Sequence, residues 1–330
     1  MAGRTGQNYA DVYETQRDEK GKWSSPVPLS ASINTHQDEG FSTMTADKKT
    51  MYFTRCKQEK NKYLGCHIYK STFNGSVWSE SEELKLAESD TIVFGHPAVS
   101  ADGTHLFFAS DMPGGVGGKD IWFVTYDAQS NTYSQPKNVS GVNTPKNEMF
   151  PYYREDGELF FASDGHVGMG GLDIFSSQKV GNDQWGEVEN MKYPINSPMN
   201  DFGFIMENKK ERGYFTSNRM GGKGHDDVYS YYIQPLIFVI DGTVKDVDSG
   251  EPVVEASVKL VGSDGTMVEI LTDENGYYKF AEVEGKDERY VKPNTTYTME
   301  ASKTNYLVSK GEQTTVGFEE STIFTHDFEL

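Results

Sequence analysis

Basic residues are the scarcer charge in this chain: 31 lysines and arginines stand against 50 aspartates and glutamates over 330 residues, a net −19. No local basic cluster offsets that balance, which repels nucleic acid and anionic membrane surfaces, so no nucleic-acid partner is expected. Long hydrophobic runs are missing too. The longest, LIFVI at 236 to 240, is far short of the roughly 20 residues a membrane helix needs, so no direct membrane insertion is expected. The opening residues, MAGRTGQNYADVY, lack the apolar core of a secretory signal. Apolar residues nowhere keep a 3.6-residue period long enough for a helix. Cysteine is nearly absent, with two residues, Cys56 and Cys66.

Recognisable catalytic patterns are equally scarce. There is no G-x-S-x-G, no H-E-x-x-H and no G-x-x-x-x-G-K-[ST]. The seven histidines are scattered, and carboxylate pairs such as Asp226-Asp227 are ordinary in so acidic a chain. A non-enzymatic protein with no cofactor is expected. Aromatics reach 13% and charged residues stay at 25%, a balance that supplies packed cores rather than a disordered chain.

What the sequence does contain is a repeat. FASDMPGGVGGKDIWFV (108 to 124), FASDGHVGMGGLDIFSS (161 to 177) and FTSNRMGGKGHDDVYSY (215 to 231) are copies of one another. FTRCKQEKNKYLGCHIYKS (53 to 71) is a weaker copy, and GRTGQNYADVYET (3 to 15) a partial one. Aligned on the step D-[IV]-aromatic, the copies fall at Asp11, His67, Asp120, Asp173 and Asp227, about every 54 residues. An aromatic pair precedes each glycine-rich turn. Between copies, INTHQDEGF, VNTPKNEMF and INSPMNDFGF place an asparagine five residues before an acid, while the segment at 89 to 100 departs from this pattern.

Each unit reads as four short strands bounded by Asp-Gly, Asn-Gly or Gly-Gly turns, the signature of a β-propeller blade. One blade cannot bury both faces of its sheet, so blades stack around an axis. The glycine run links the second and third strands, where a wide turn calls for residues tolerating positive φ. The repeat aspartates Asp11, Asp120, Asp173 and Asp227 then accept hydrogen bonds from turn amides. A cation loop built from His225, Asp226 and Asp227 is the rival reading in the last copy. Five copies carry the third strand but four carry the first two, so the chain reads as a fragment that begins inside a blade, with five blades expected in the parent. Cys56 and Cys66 flank the turn of the copy that lost its glycines. A disulfide suits that place and an oxidising compartment, with two free thiols as the other reading.

After Gln234-Pro235 the repeat stops. Residues 234–330 show about seven alternating strands broken by Asp-Ser-Gly, Ser-Asp-Gly and Glu-Asn-Gly turns, which suits a small antiparallel sandwich. The division expected is therefore 1–233, propeller, and 234–330, sandwich: an all-β chain. GTVKDVDSGEPVVEASVKLV, TDENGYYKF and NTTYTMEASKTNYL resemble the carboxypeptidase regulatory-like domain, a transthyretin-like fold. The repeats resemble PD40 (WD40-like) repeats of bacterial envelope proteins. Their order is similar to the middle of Bacteroidetes OmpA-family proteins of the type IX secretion system. That resemblance covers nearly the whole chain. It implies a periplasmic, outer-membrane-associated scaffold whose partners are other secretion-system or outer-membrane proteins. Peptidoglycan would be reached only through a domain this sequence lacks. A carbohydrate- or peptide-binding envelope module is the alternative, followed by a propeller hydrolase.

Overall fold

The computed structural model describes residues 9–59, 62–89, 91–207, 212–283, 288–318 and 320–330. It is all-β, and no helix occurs among the described residues. The chain divides into two compact units, Met1–Ile233 and Gln234–Leu330.

In the first unit, β1 (Tyr13–Glu14) and β2 (Val27–Pro28) form a two-stranded ladder. Next come β3 (Asp38–Met44), β4 (Thr50–Glu59), β5 (Lys62–Thr72) and β6 (Glu82–Glu83), paired in that order. The following sheet contains β7 (Phe94–Val99), β8 (His105–Ser110) and β9 (Asp120–Asp127); β10 (Thr132–Tyr133) and β11 (Lys137–Asn138) both pair with β9. A fourth group comprises β12 (Glu148–Tyr153), β13 (Glu158–Ser163), β14 (Asp173–Gly181) and β15 (Gln184–Asn190). The last sheet is β16 (Asp201–Met206), β17 (Arg212–Ser217) and β18 (Asp227–Tyr232). Every pairing is antiparallel between sequence neighbours, except that β11 reaches past β10 to β9. The sheets pack face to face as propeller blades. Phe107, Ile121 and Phe123 of one blade share a core with Leu159, Phe161 and Phe175 of the next. Burying each such side chain stabilises by roughly 1.5–3 kcal/mol.

One contact repeats around the ring. Tyr133 meets Tyr52 of the preceding blade, hydroxyl to hydroxyl at 2.9 Å. Trp185 meets Phe107 of its preceding blade with ring centroids 6.1 Å apart. Trp23, at the same repeat position, meets Tyr214 of the last sheet at 5.8 Å. The N-terminal strand pair thus follows the last sheet as each blade follows its neighbour, and the ring closes.

The asparagine markers bind successive blades together. Asn34, Asn143 and Asn196 each accept from the N–H and donate to the C=O of the residue after a repeat aspartate: Val12, Ile121 and Ile174. The side-chain amide pairs the N–H at this edge and shares each carbonyl with a backbone N–H, from Leu29, Val139 and Met191 respectively. The acid five residues on closes the same loop. Glu148 accepts from Thr144 N–H and Oγ1 and from Ser163 Oγ, and Glu39 and Asp201 hold the same place.

The second unit has β19 (Phe238–Lys245), β20 (Ser257–Gly262), β21 (Met267–Leu271), β22 (Tyr277–Phe280), β23 (Thr296–Ser302), β24 (Ser309–Thr314), β25 (Thr322–Thr325) and β26 (Phe328–Glu329). One sheet orders β22-β19-β25 and the other β21-β20-β23-β24, with β26 also on β19. Val258 and Leu260 are fully buried between them, while Lys259 points out. The purely antiparallel sandwich expected from alternation is corrected: β25 and β26 run parallel to β19. Strand direction follows from the path of the connections, on which residue alternation is silent.

Candidate functional site

Antiparallel order places the turns between second and third strands at the same end of the ring as the entries to the first strands. These loops form one face. Each glycine turn on it is held by its aspartate. Asp120 accepts from Gly117 N–H at 3.0 Å and Val116 N–H at 2.5 Å, and Asn138 Nδ2 adds a third bond. Asp173 accepts from Met169 and Gly170 N–H at 2.9 and 2.8 Å. Asp227 accepts from Lys223 and Gly224 N–H at 2.8 and 3.0 Å. Asp11 is described, but residues 3–8 of its turn lie outside the described residues.

The reason for the glycines differs from the expectation. Gly115 and Gly168 are not in the left-handed region. A Cβ on Gly115 would lie 2.5 Å from Asp120 Oδ2, and one on Gly168 2.0 Å from Asp173 Oδ2. Here the glycines make room for the carboxylate. Positive φ is confined to single residues such as Gly114 and Gly221.

In the last copy, His225 Nδ1 lies 3.3 Å from Asp226 Oδ2 and is almost fully exposed, while Asp227 faces inward onto its turn. Among the described residues no group of three or more His, Cys, Asp or Glu side chains is placed to hold a metal ion.

Cys56 and Cys66 are joined by a disulfide directly across β4 and β5. Their copy has His67 in the aspartate's place, and the carboxylate comes instead from Glu83 on β6, 3.3 Å from His67 Nδ1. Glu83 also receives Lys57 Nζ at 2.7 Å, Lys85 Nζ at 2.9 Å and Tyr69 OH at 2.9 Å. Burial pushes the Glu83 carboxyl up, but the hydrogen bonds from Lys57, Lys85 and Tyr69 more than reverse this and hold it at about 2.

The axis is sealed by aromatic rings. Each innermost strand carries a β-bulge at one repeat position, where Phe41, His96, Phe150 and Gly203 adopt positive φ. The His96 ring stacks on Phe150 at 3.8 Å, Phe41 meets both, and Phe202 lies 4.8 Å from Phe150. Burial, and then the charge of Lys119, lower His96 to about 3. A cavity of about 240 Å³ beside this plug is lined by Phe41, His96, Val93, Ala109, Lys119 and the disulfide.

Around the plug the loop tips are apolar. Val167 and Met220 are each 93% exposed, and Leu64, Val116, Met169 and Met199 are exposed on the same loop face. No motif search reveals such a crown. The signal available in the sequence was that an aliphatic or methionine residue stands inside each glycine run.

The face is thus a set of rigid turns presenting apolar tips around a closed axis. It belongs to a β-propeller, and residues 239–330 of the unit that follows match the carboxypeptidase regulatory-like domain family. No curated protein matches the chain. Among solved structures it is similar to TolB of Acinetobacter baumannii, 14% identical with a TM-score of 0.41, over 89% of this chain and 57% of that one. It is also similar to a xylan β-1,4-xylosidase of Bacillus halodurans, 10% identical with a TM-score of 0.41, over 85% of this chain and 78% of that one. A puromycin-hydrolysing peptidase of Mycobacterium tuberculosis is 13% identical with a TM-score of 0.39, over 87% of this chain and 50% of that one. The chain spans little more than half the length of the TolB chain.

Proposed function

We propose that this protein is a non-enzymatic scaffold of a bacterial cell-envelope assembly, whose propeller docks a protein partner through the crown of loop tips. The observation that carries this reading is the exposure of Val167 and Met220 on turns that Asp173 and Asp227 hold in place. Exposed apolar side chains grouped on one face cost solubility, and rigid loops order little on binding; both features suit protein recognition. The finer reading is a PorE-like component of the type IX secretion system, periplasmic and associated with the outer membrane. It is supported by the domain order, PD40-like repeats followed by a carboxypeptidase regulatory-like domain.

The test is affinity capture from an envelope fraction of a bacterium that has this secretion system. The wild-type chain should retain outer-membrane secretion proteins, and a Val167→Asp/Met220→Asp chain should lose them by 10-fold or more, equivalent to about 1.4 kcal/mol. Recovery of glycans alone, or equal recovery by both chains, would contradict the reading.

A further inference from the structure

Two glycines next to the axis answer no backbone demand. On the innermost strands, the residue just before each bulge is Gly40, Gly95, Met149 or Phe202, set opposite Thr54, Ala109, Ala162 and Thr216 of the second strands. Met149 packs on a blade core and Phe202 joins the axial plug. Neither Gly40 nor Gly95 lies in the left-handed region. A Cβ on Gly40 would meet nothing within 4 Å, and one on Gly95 would touch Thr54 Cγ2 at 3.5 Å, an ordinary contact. In two adjacent blades the glycines leave a space where the other two place a side chain. That space is the cavity of about 240 Å³ beside the plug, which both glycines line.

The acceptors lining this cavity are already engaged. Asp38 accepts from Ala10 N–H at 2.9 Å and from Gln58 Nε2 at 3.1 Å. Glu39 is buried in its pair with Arg55 at 2.7 Å, and Thr54 Oγ1 accepts from His96 N–H at 2.9 Å. Two donors are uncommitted. Lys119 is tied through its backbone N–H to Asn147 Oδ1, but among the described residues its ammonium has no carboxylate partner. Phe150 N–H donates to His96 Nδ1 at 3.4 Å, and burial keeps that ring neutral, so its proton sits on Nε2. Among the described residues nothing accepts from it. One free cation and one neutral N–H therefore stand beside the apolar walls of Phe41, Val93, Ala109 and the disulfide.

We infer that this cavity binds a small monoanionic acid, a carboxylate joined to a compact apolar group. The carboxylate pairs with Lys119 in a charge-assisted hydrogen bond, and the apolar body fills the space left by Gly40 and Gly95. Asp38 and Glu39 oppose a second negative charge, which disfavours a phosphate dianion. An apolar cavity of roughly 150 Å³ takes up benzene, so the larger one here suits a ligand of about ten non-hydrogen atoms. A free acid and the C-terminal residue of a polypeptide share this chemistry.

Phenylacetate has that size and is the probe, titrated into the full chain by calorimetry. It should bind with a Kd of about 1 mM or tighter, and phenylacetamide, the same shape without the charge, at least about 10-fold more weakly. Lys119→Met should abolish this discrimination without lowering the melting temperature, since the ammonium it removes has no partner to lose. Gly40→Leu places a side chain in open space; it should bind neither compound and melt no lower than the original. The peptide Ala-Ala-Phe with a free C-terminus separates the two sources. Binding tighter than phenylacetate assigns the site to a chain end, and weaker binding assigns it to a free acid. No binding of phenylacetate at about 10 mM, equal binding of acid and amide, or unchanged binding by Gly40→Leu would overturn the proposal. These readouts do not involve Val167 or Met220, so failure here leaves the docking reading to its own test.

Discussion

Asn196 grips Ile174 at both backbone polar groups: Oδ1 accepts from its N–H at 2.7 Å and Nδ2 donates to its carbonyl at 2.8 Å. Asn196 and Ile174 are both fully buried. Removing the amide leaves the Ile174 N–H unpaired away from water, at about 1–3 kcal/mol, while the Ile174 carbonyl keeps the Met191 N–H at 3.1 Å. Asn196→Ala should therefore destabilise the propeller by about 1–3 kcal/mol, measured by urea unfolding. Asn196→Asp should fall short of wild type too, since the carboxylate cannot donate to the Ile174 carbonyl.

The two kinds of glycine in the turns respond differently to substitution. Gly168→Ala drives a Cβ into the Asp173 carboxylate and should cost about 2 kcal/mol or more by breaking the turn's hydrogen bonds. Gly114 has φ +94° and open space around it, so Gly114→Ala should cost only backbone strain, about 1 kcal/mol. Thermal melts of the two variants give the comparison, and equal losses would refute the close-approach account.

His96 sets part of the acid sensitivity. Its folded pKa lies near 3, below the ordinary value near 6.5, so the unfolded chain binds the proton first and stability falls as pH drops below about 6.5. Phe150 holds the same backbone conformation at the equivalent place. His96→Phe should therefore flatten the stability profile between pH 6.5 and 4, seen as a smaller drop in melting temperature over that range.

Glu83 acts lower down. Its carboxyl is held at about 2, so its contribution is complete above the unfolded value near 4.5 and is lost as pH falls toward 2. Glu83→Gln should lower stability at neutral pH and remove that part of the acid limb, as read from melting temperatures between pH 2 and 5.

The Cys56–Cys66 disulfide predicts no reactive thiol on the unfolded, unreduced protein. Replacing both cysteines with serine should lower stability by about 2–3 kcal/mol through the freed unfolded chain.

The strands were legible because a period near 54 residues overrides the weakness of any single strand signal. Phe107-Phe108 and Phe160-Phe161 recur where both faces of a strand are buried, and burial on both faces is what stacked sheets impose. The Asn-to-acid interval was visible as a pattern, but its meaning was not. Asn143 reaches Ile121 across 22 residues, a contact that spacing alone cannot specify. The glycines were read only in part, for a related reason: positive φ holds at Gly114 and Gly221 but not at Gly115 or Gly168. Gly168 is constrained by Asp173 approaching from the side, and sequence shows only that a side chain is absent. His67 and Glu83 exchange the usual roles of the aspartate and Asn138 across β5 and β6, which needed the register. The axial plug of Phe41, His96, Phe150 and Phe202 is spread over more than 160 residues, and bulges turn these residues inward. Exposure of Val167 and Met220 depends on the turn path, so the crown emerged only from the fold.

The most direct test of the docking account places a photo-crosslinking residue at Met220 in the crown. A control carries it at Val180, which is also exposed but lies near the end of β14, beside the turn to β15 at the opposite end of the blade. In an envelope fraction, crosslinking at position 220 should yield a discrete adduct with an outer-membrane secretion protein and position 180 should yield none. Equal adducts from both positions, or none from position 220, would contradict it.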